Sequence, residues 1–261
     1  LGSTGEFPRF DYTQRRAILK AVMKTAGDLP VIANVTDINP RVAVKLGRFA
    51  RSLGVKAVAL MPPMFFPLSA DDQLAYFLHV AEAVDHPVML YNFPELTGKR
   101  IAIETVAAFA ERAPLCAIKQ SGGEFAYHRE LVALGREKEF AVMSGADTRL
   151  PEAFALGAAG AIGGLVNIVP ELMTALYRRY VVEARRDEVG EIAAQLVEVG
   201  RIVDQLAFPL NVAAGLTARG LPPGVPKMIV SGQSRVLYDK IAAELTAQFA
   251  HWRLASIDSA A

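Results

Sequence analysis

Between residues 30 and 164 the chain alternates short apolar runs, rich in β-branched residues, with longer stretches whose apolar positions return at helical spacing. A strand covered on both faces reads as a continuous apolar run, whereas a surface helix shows one apolar stripe, so this alternation predicts repeated strand–helix units around a parallel sheet. Strands are expected at 31–35, 57–61, 88–92, 116–121, 141–144 and 161–163. Helices are expected at 12–25, 41–53 and 70–84, preceded by Asp11, by Asn39 with Pro40, and by Ser69. A side-chain acceptor before the first turn satisfies an orphan amide, and proline there gives up an N–H that had no partner. Gly54 suits a left-handed cap after the second of these helices.

Strand ends recur about every 28 residues without an intervening Pro/Gly-rich linker, close to the ~30 residues of one βα unit. After Pro170 the strand signal stops, and helices are expected at 171–190, 191–208, 211–219 and 235–254, separated by Pro209 and the 221–224 turn. The expected fold is therefore α/β, a (β/α)8 TIM barrel over residues 1–185 followed by a C-terminal helical region, 186–261. Six strands, plus a loop at 2–6 that reads as following a seventh, leave the barrel short at its start. An opening βα unit before Leu1 is expected.

With 261 residues and 52% hydrophobic content the chain can bury one large core. Its 28 Lys and Arg against 27 Asp and Glu leave no broad field for nucleic acid or an anionic membrane, so a small-molecule partner is expected. A lone cysteine, Cys116, excludes an intramolecular disulfide and suits a reducing cytoplasm. The most apolar stretch, 153–166, is broken by four glycines and is too short to cross a bilayer. His79, His86, His128 and His251 read as surface residues on helices or before a strand, so neither a metal nor another cofactor is expected.

In a strand–helix barrel, reactive groups gather at the C-terminal ends of the strands. Lys56 precedes its apolar run and belongs to the opposite, stability-related end, whereas Lys119 follows one. Desolvation disfavours the charged form of an amine, so a lysine in a dry strand-end mouth is available to attack a ketone; a solvated strand-end lysine is the plainer alternative. Tyr91 ends its strand in the same way and is either a packed aromatic or a proton relay. The segment Gly2-Ser3-Thr4-Gly5 offers hydroxyls and glycine amides suited to a carboxylate.

Gly2-Ser3-Thr4-Gly5-Glu6, Leu90-Tyr91-Asn92-Phe93-Pro94 with Thr97-Gly98, Ile118-Lys119-Gln120 and Gly160-Ala161-Ile162-Gly163 resemble, in order and interval, the signatures of the N-acetylneuraminate lyase and dihydrodipicolinate synthase superfamily. The resemblance implies a metal-free class I reaction: Lys119 forms an imine with pyruvate or a longer 2-keto acid, Tyr91 relays protons, and Ser3, Thr4 and Gly5 hold the carboxylate. It implies that the carbonyl of Ile162 lines the pyruvate pocket, that Ser121 and Asp147 contact the sugar-like end, and that the protein is a homo-oligomer, dimer or tetramer.

Departures from the family pattern bear on substrate. Synthases have an arginine soon after the Tyr-Asn pair, where Glu95-Leu96 stands here; Phe65 and Phe66 stand where tyrosines are usual. Thr148 and Gly164 replace an acid and a serine of the neuraminate lyases. The expected activity is that of a 2-keto-3-deoxy sugar acid aldolase, with Phe65 near the substrate or at a subunit contact. The alternatives are dihydrodipicolinate synthase, a keto-deoxy-glucarate-type dehydratase, and a catalytically silent keto-acid binder.

Overall fold

The computed structural model describes residues 1–254; the end of the predicted C-terminal region, 255–261, lies outside the described residues. Six strands, β1 (Ile32–Asn34), β2 (Ala57–Leu60), β3 (Val88–Asn92), β4 (Leu115–Gln120), β5 (Ala141–Ser144) and β6 (Gly160–Ala161), form one sheet in chain order. Every neighbouring pair is parallel. Before, between and after them run α1 (Tyr12–Thr25), α2 (Pro40–Ser52), α3 (Ala70–Val84), α4 (Pro94–Thr97), α5 (Ile103–Ala110), α6 (Phe125–Glu137), α7 (Leu150–Leu156), α8 (Pro170–Tyr177), α9 (Gly190–Val203), α10 (Leu210–Ala218) and α11 (Gly232–His251).

The chain packs as two compact units, one of residues 1–146 and 155–161 and the other of 147–154 and 162 onward. In the first, strands alternate their side chains between two faces. Val35, Val58, Leu60, Val88, Leu90, Ile118 and Val142 pack against helix residues such as Leu46, Phe77, Val80, Phe109 and Leu131 in a continuous core. Burying one such Leu or Phe stabilises the fold by about 1.5–3 kcal/mol, so this layer fixes the register of the sheet. By alternation Asn34, Ala59, Met89, Tyr91, Lys119 and Met143 belong to the opposite face.

The predicted helix starts are observed. Asp11 accepts from Gln14 N at 2.8 Å while its own amide donates to the Gln14 side chain at 3.0 Å, a reciprocal capping box. Ser69 and Asn39 cap their helices, and Gly54 takes φ 82°.

In the second unit α8, α9, α10 and α11 enclose a core that includes Leu172, Leu196, Val199, Ile202, Leu245 and Phe249. Arg219, 2% exposed, donates to Glu171 at 2.5 Å and lies 5.4 Å from the Phe249 ring. The charge is thereby paired, as a buried guanidinium must be.

Three expectations are corrected. The helix expected over 171–190 is broken: α8 continues as a π-turn, Arg178–Val182, and stops where Ala184 adopts φ 57°. No Gly or Pro marks this break; the amides of Glu183 and Arg185 turn back onto the carbonyls of Arg178 and Arg179. The sixth strand lies at Gly160–Ala161 and not at 161–163, because Gly160 pairs with Met143 and leaves room for the methionine end that a Cβ would meet at 2.7 Å. His128 is buried, at 3% exposure, beside Phe125. Cys116 is exposed, its thiol directed to the Val88 carbonyl at 3.2 Å.

Candidate active site

Parallel pairing of β3 with β4 sets Tyr91 directly beside Lys119, and Asn92 beside Gln120. The two pairs serve opposite faces. Asn92 and Gln120 are buried and bond each other at 2.6 Å, with Asn92 also accepting from Ile101 N at 2.9 Å. This locks the two strand ends together.

On the other face Lys119, 9% exposed, donates from Nζ to the Tyr91 hydroxyl at 2.9 Å, and Nζ lies 4.1 Å from the ring centroid. Tyr91 is 4% exposed and packs with Phe7 and Met61, while Phe93 stacks on its ring at 6.1 Å. Phenol and amine are thus held together in a largely dehydrated setting, which shortens any proton transfer between them and strengthens their electrostatic coupling.

Ser3 joins from the start of the chain. Residues 3–6 form a turn closed by Glu6 N donating to Ser3 O at 3.0 Å, and Ser3 Oγ lies 3.2 Å from the Tyr91 hydroxyl. Gly5 permits the fold-back, since a Cβ there would stand 3.3 Å from Leu1 Cα. Thr4 is half-buried in the same turn. Three of the groups singled out in the sequence, at positions 3, 91 and 119, therefore form one hydrogen-bonded row.

Ser121 follows β4, is 3% exposed and abuts Gly145: a Cβ on Gly145 would meet Ser121 Oγ at 2.1 Å and Lys119 Cε at 3.0 Å. Gly122, at φ 97°, receives the carboxyl of Glu95 in the space a Cβ would fill. An acidic group thus stands in α4, the short helix after β3, beside the loop that follows β4.

Two expected site residues lie in the second unit. Asp147 accepts from the amides of Gly164 and Leu165 at 2.7 and 2.8 Å, and the missing side chain of Gly163 leaves room for its carboxylate. Ile162 follows β6 directly and is half-buried. Phe65 is not part of the cluster around Tyr91: it is 84% exposed at φ 83°, with its ring edge-on to Phe66 at 4.9 Å.

Sequence reasoning missed Arg15, Asn34, Thr36 and Gly145. Asn34 and Thr36 had a signal, being polar positions at the end of an apolar strand. Arg15 and Gly145 had none, because their neighbours come from elements far away in the chain.

Among the described residues, no group of three or more His, Cys, Asp or Glu side chains is arranged to hold a metal ion. No helix among them is long and apolar enough to cross a membrane.

The family model described as the dihydrodipicolinate synthetase family matches residues 1–246. An uncharacterized DapA-like lyase of Halobacterium salinarum is 31% identical over 225 residues, 86% of this chain and 73% of that protein. A 4-hydroxy-tetrahydrodipicolinate synthase of Pelobacter propionicus is 34% identical over 218 residues, 82% of this chain and 74% of that protein. YagE of E. coli K12, a prophage protein belonging to the dihydrodipicolinic acid synthase family and solved in complex with pyruvate, matches with a TM-score of 0.87 at 24% identity, covering 97% of this chain and 85% of that one. At that identity the likeness concerns the fold.

Proposed function

The chain belongs to the dihydrodipicolinate synthetase family, whose members are Schiff-base lyases, and from that premise we propose that it cleaves or forms a 2-keto-3-deoxy sugar acid with Lys119 as the imine-forming amine. The observation that carries this reading is the hydrogen-bonded row Lys119 Nζ, Tyr91 OH, Ser3 Oγ, linked at 2.9 and 3.2 Å.

In this reading Lys119 Nζ adds to the keto carbon, and Tyr91 passes the proton that lets the carbinolamine oxygen leave as water. The protonated imine accepts the electron pair of the breaking carbon–carbon bond, while Tyr91 takes the proton of the substrate hydroxyl, which becomes the aldehyde. The enamine left behind is protonated and hydrolysed to pyruvate. Ser3, Thr4 and the Gly5 amide hold the keto-acid carboxylate. Ser121 serves the hydroxylated end. Phe65, with Phe66, forms a contact between copies of the chain.

What favours a hydroxylated substrate over a second carboxylate is the Glu95 carboxyl at Gly122, in the stretch where the resemblance leads one to expect an arginine. The relatives named 4-hydroxy-tetrahydrodipicolinate synthase favour the second reading, condensation of pyruvate with aspartate semialdehyde. Borohydride reduction in the presence of pyruvate tests the shared chemistry: a reduced adduct is expected on Lys119 and none in Lys119→Ala. Absence of an adduct in the folded protein would end both readings. Pyruvate release from keto-deoxy sugar acids, against condensation with aspartate semialdehyde, then decides between them.

A further inference from the structure

Asn34 is a buried amide, 4% exposed, at the end of the three-residue strand β1 and on the sheet face that carries Tyr91. A buried amide must satisfy both its donors and its acceptor. Its Oδ1 accepts from Thr36 Oγ1 at 2.6 Å and from Thr36 N at 3.3 Å, and Thr36 Oγ1 in turn accepts from Met61 N at 2.7 Å. Its Nδ2 donates to the carbonyl of Leu1 at 2.9 Å. That carbonyl can only accept, so the amide orientation is fixed by chemistry.

Arg15, 2% exposed, reinforces the same point from α1, donating to the carbonyls of Asn34 and Thr36 at 3.0 Å each while its guanidinium lies 5.2 Å from the Phe7 ring. Leu1 is thus held by Asn34, and Phe7 by Arg15 and by packing with Met61 and Tyr91. Between these two anchors lies the turn that presents Ser3 to the Tyr91 hydroxyl.

We infer that Asn34 is a positioning residue for the keto-acid carboxylate turn: through the Leu1 carbonyl it sets where Ser3 stands relative to Tyr91. The inference rests on the reading above, in which Ser3 and Thr4 hold the carboxylate. The Asn34 side chain hydrogen-bonds to Leu1 and Thr36, and its effect on Tyr91 passes through the backbone of the turn.

The test is Asn34→Asp, which matches the side chain in shape and keeps the acceptor for Thr36 but cannot donate to Leu1. The readout is borohydride trapping across a pyruvate titration, with Ser3→Ala and the double variant in parallel. The pyruvate concentration at half-maximal trapping is expected to rise about tenfold in Asn34→Asp, more than the rate at saturation falls. In the Ser3→Ala background the same change should add no more than about twofold, because both substitutions remove one linkage. Should Asn34→Asp not fold, the same coupling is read with Asn34→Leu, which also lacks the donor. Unchanged half-saturation in the Asn34 variant, or full additivity with Ser3→Ala, overturns the inference while leaving the Ser3 reading intact. Unchanged half-saturation in Ser3→Ala itself overturns the carboxylate-turn reading on which it rests.

Discussion

Gly145 offers the sharpest test of how tightly the lysine is housed. It follows β5, donates its amide to Gln120 O at 2.8 Å, and faces Ser121 and the Lys119 stem. In Gly145→Ala the new methyl would stand 2.1 Å from Ser121 Oγ and 3.0 Å from Lys119 Cε, against the ~3.5 Å of ordinary carbon contact. Ser121 is 3% exposed and has no solvent to swing into. An off-rotamer hydroxyl costs about 0.5–1.5 kcal/mol and overpacking about 1–3 kcal/mol, so a loss of about 2 kcal/mol in stability is expected. The methylene at 3.0 Å must give by a few tenths of an ångström, which carries Nζ away from Tyr91. A misplacement of about 1 Å costs ~10²-fold in rate, so pyruvate trapping should slow by about tenfold. Urea unfolding measures the first effect and timed borohydride trapping the second. Removing the Ser121 side chain deletes the 2.1 Å clash, so Gly145→Ala should cost less stability in a Ser121→Gly background. If Gly145→Ala matches the parent in both urea midpoint and trapping rate, the crowding argument is wrong.

Two further outcomes are expected. Burial pushes the His128 imidazole below its ordinary value of 6.5; the unfolded chain then binds the proton more readily, so stability is full above that pH and falls as the pH drops through about 6.5 toward the folded-state value. His128→Phe removes this dependence, and its melting temperature should fall less than the parent's between about pH 7 and pH 5.5; equal slopes would refute the assignment. Phe65 and Phe66, 84% and 62% exposed in one chain, are expected to be covered in a dimer or tetramer, so Phe65→Ser with Phe66→Ser should lower the mass found by sedimentation. A parent protein that sediments as a monomer would contradict that contact.

The sequence by itself determined the alternation of strands and helices between residues 30 and 164, placing five of the strands and the first three helices. Its signals there are local: continuous apolar runs such as 88–92, capping residues such as Asp11 and Ser69, and the left-handed Gly54. It also singled out Lys119 and Tyr91, because a polar residue closing an apolar strand is visible without coordinates, and Ser3, because its glycine-flanked turn offers hydroxyls and amides suited to a carboxylate. The break after α8 was not legible, since it depends on Ala184 adopting a left-handed φ without a glycine or proline to announce it. What only the tertiary structure decided is how these pieces meet. The β3–β4 register puts Tyr91 against Lys119 from 28 positions away, and Asn34 fastens the turn bearing Ser3 by a bond to Leu1 that spans 33 positions. The burial of His128 and the exposure of Phe65 belong to the same class. A residue's type limits the bonds it can make, but partner and solvent are set by which distant segments the packed core brings beside it.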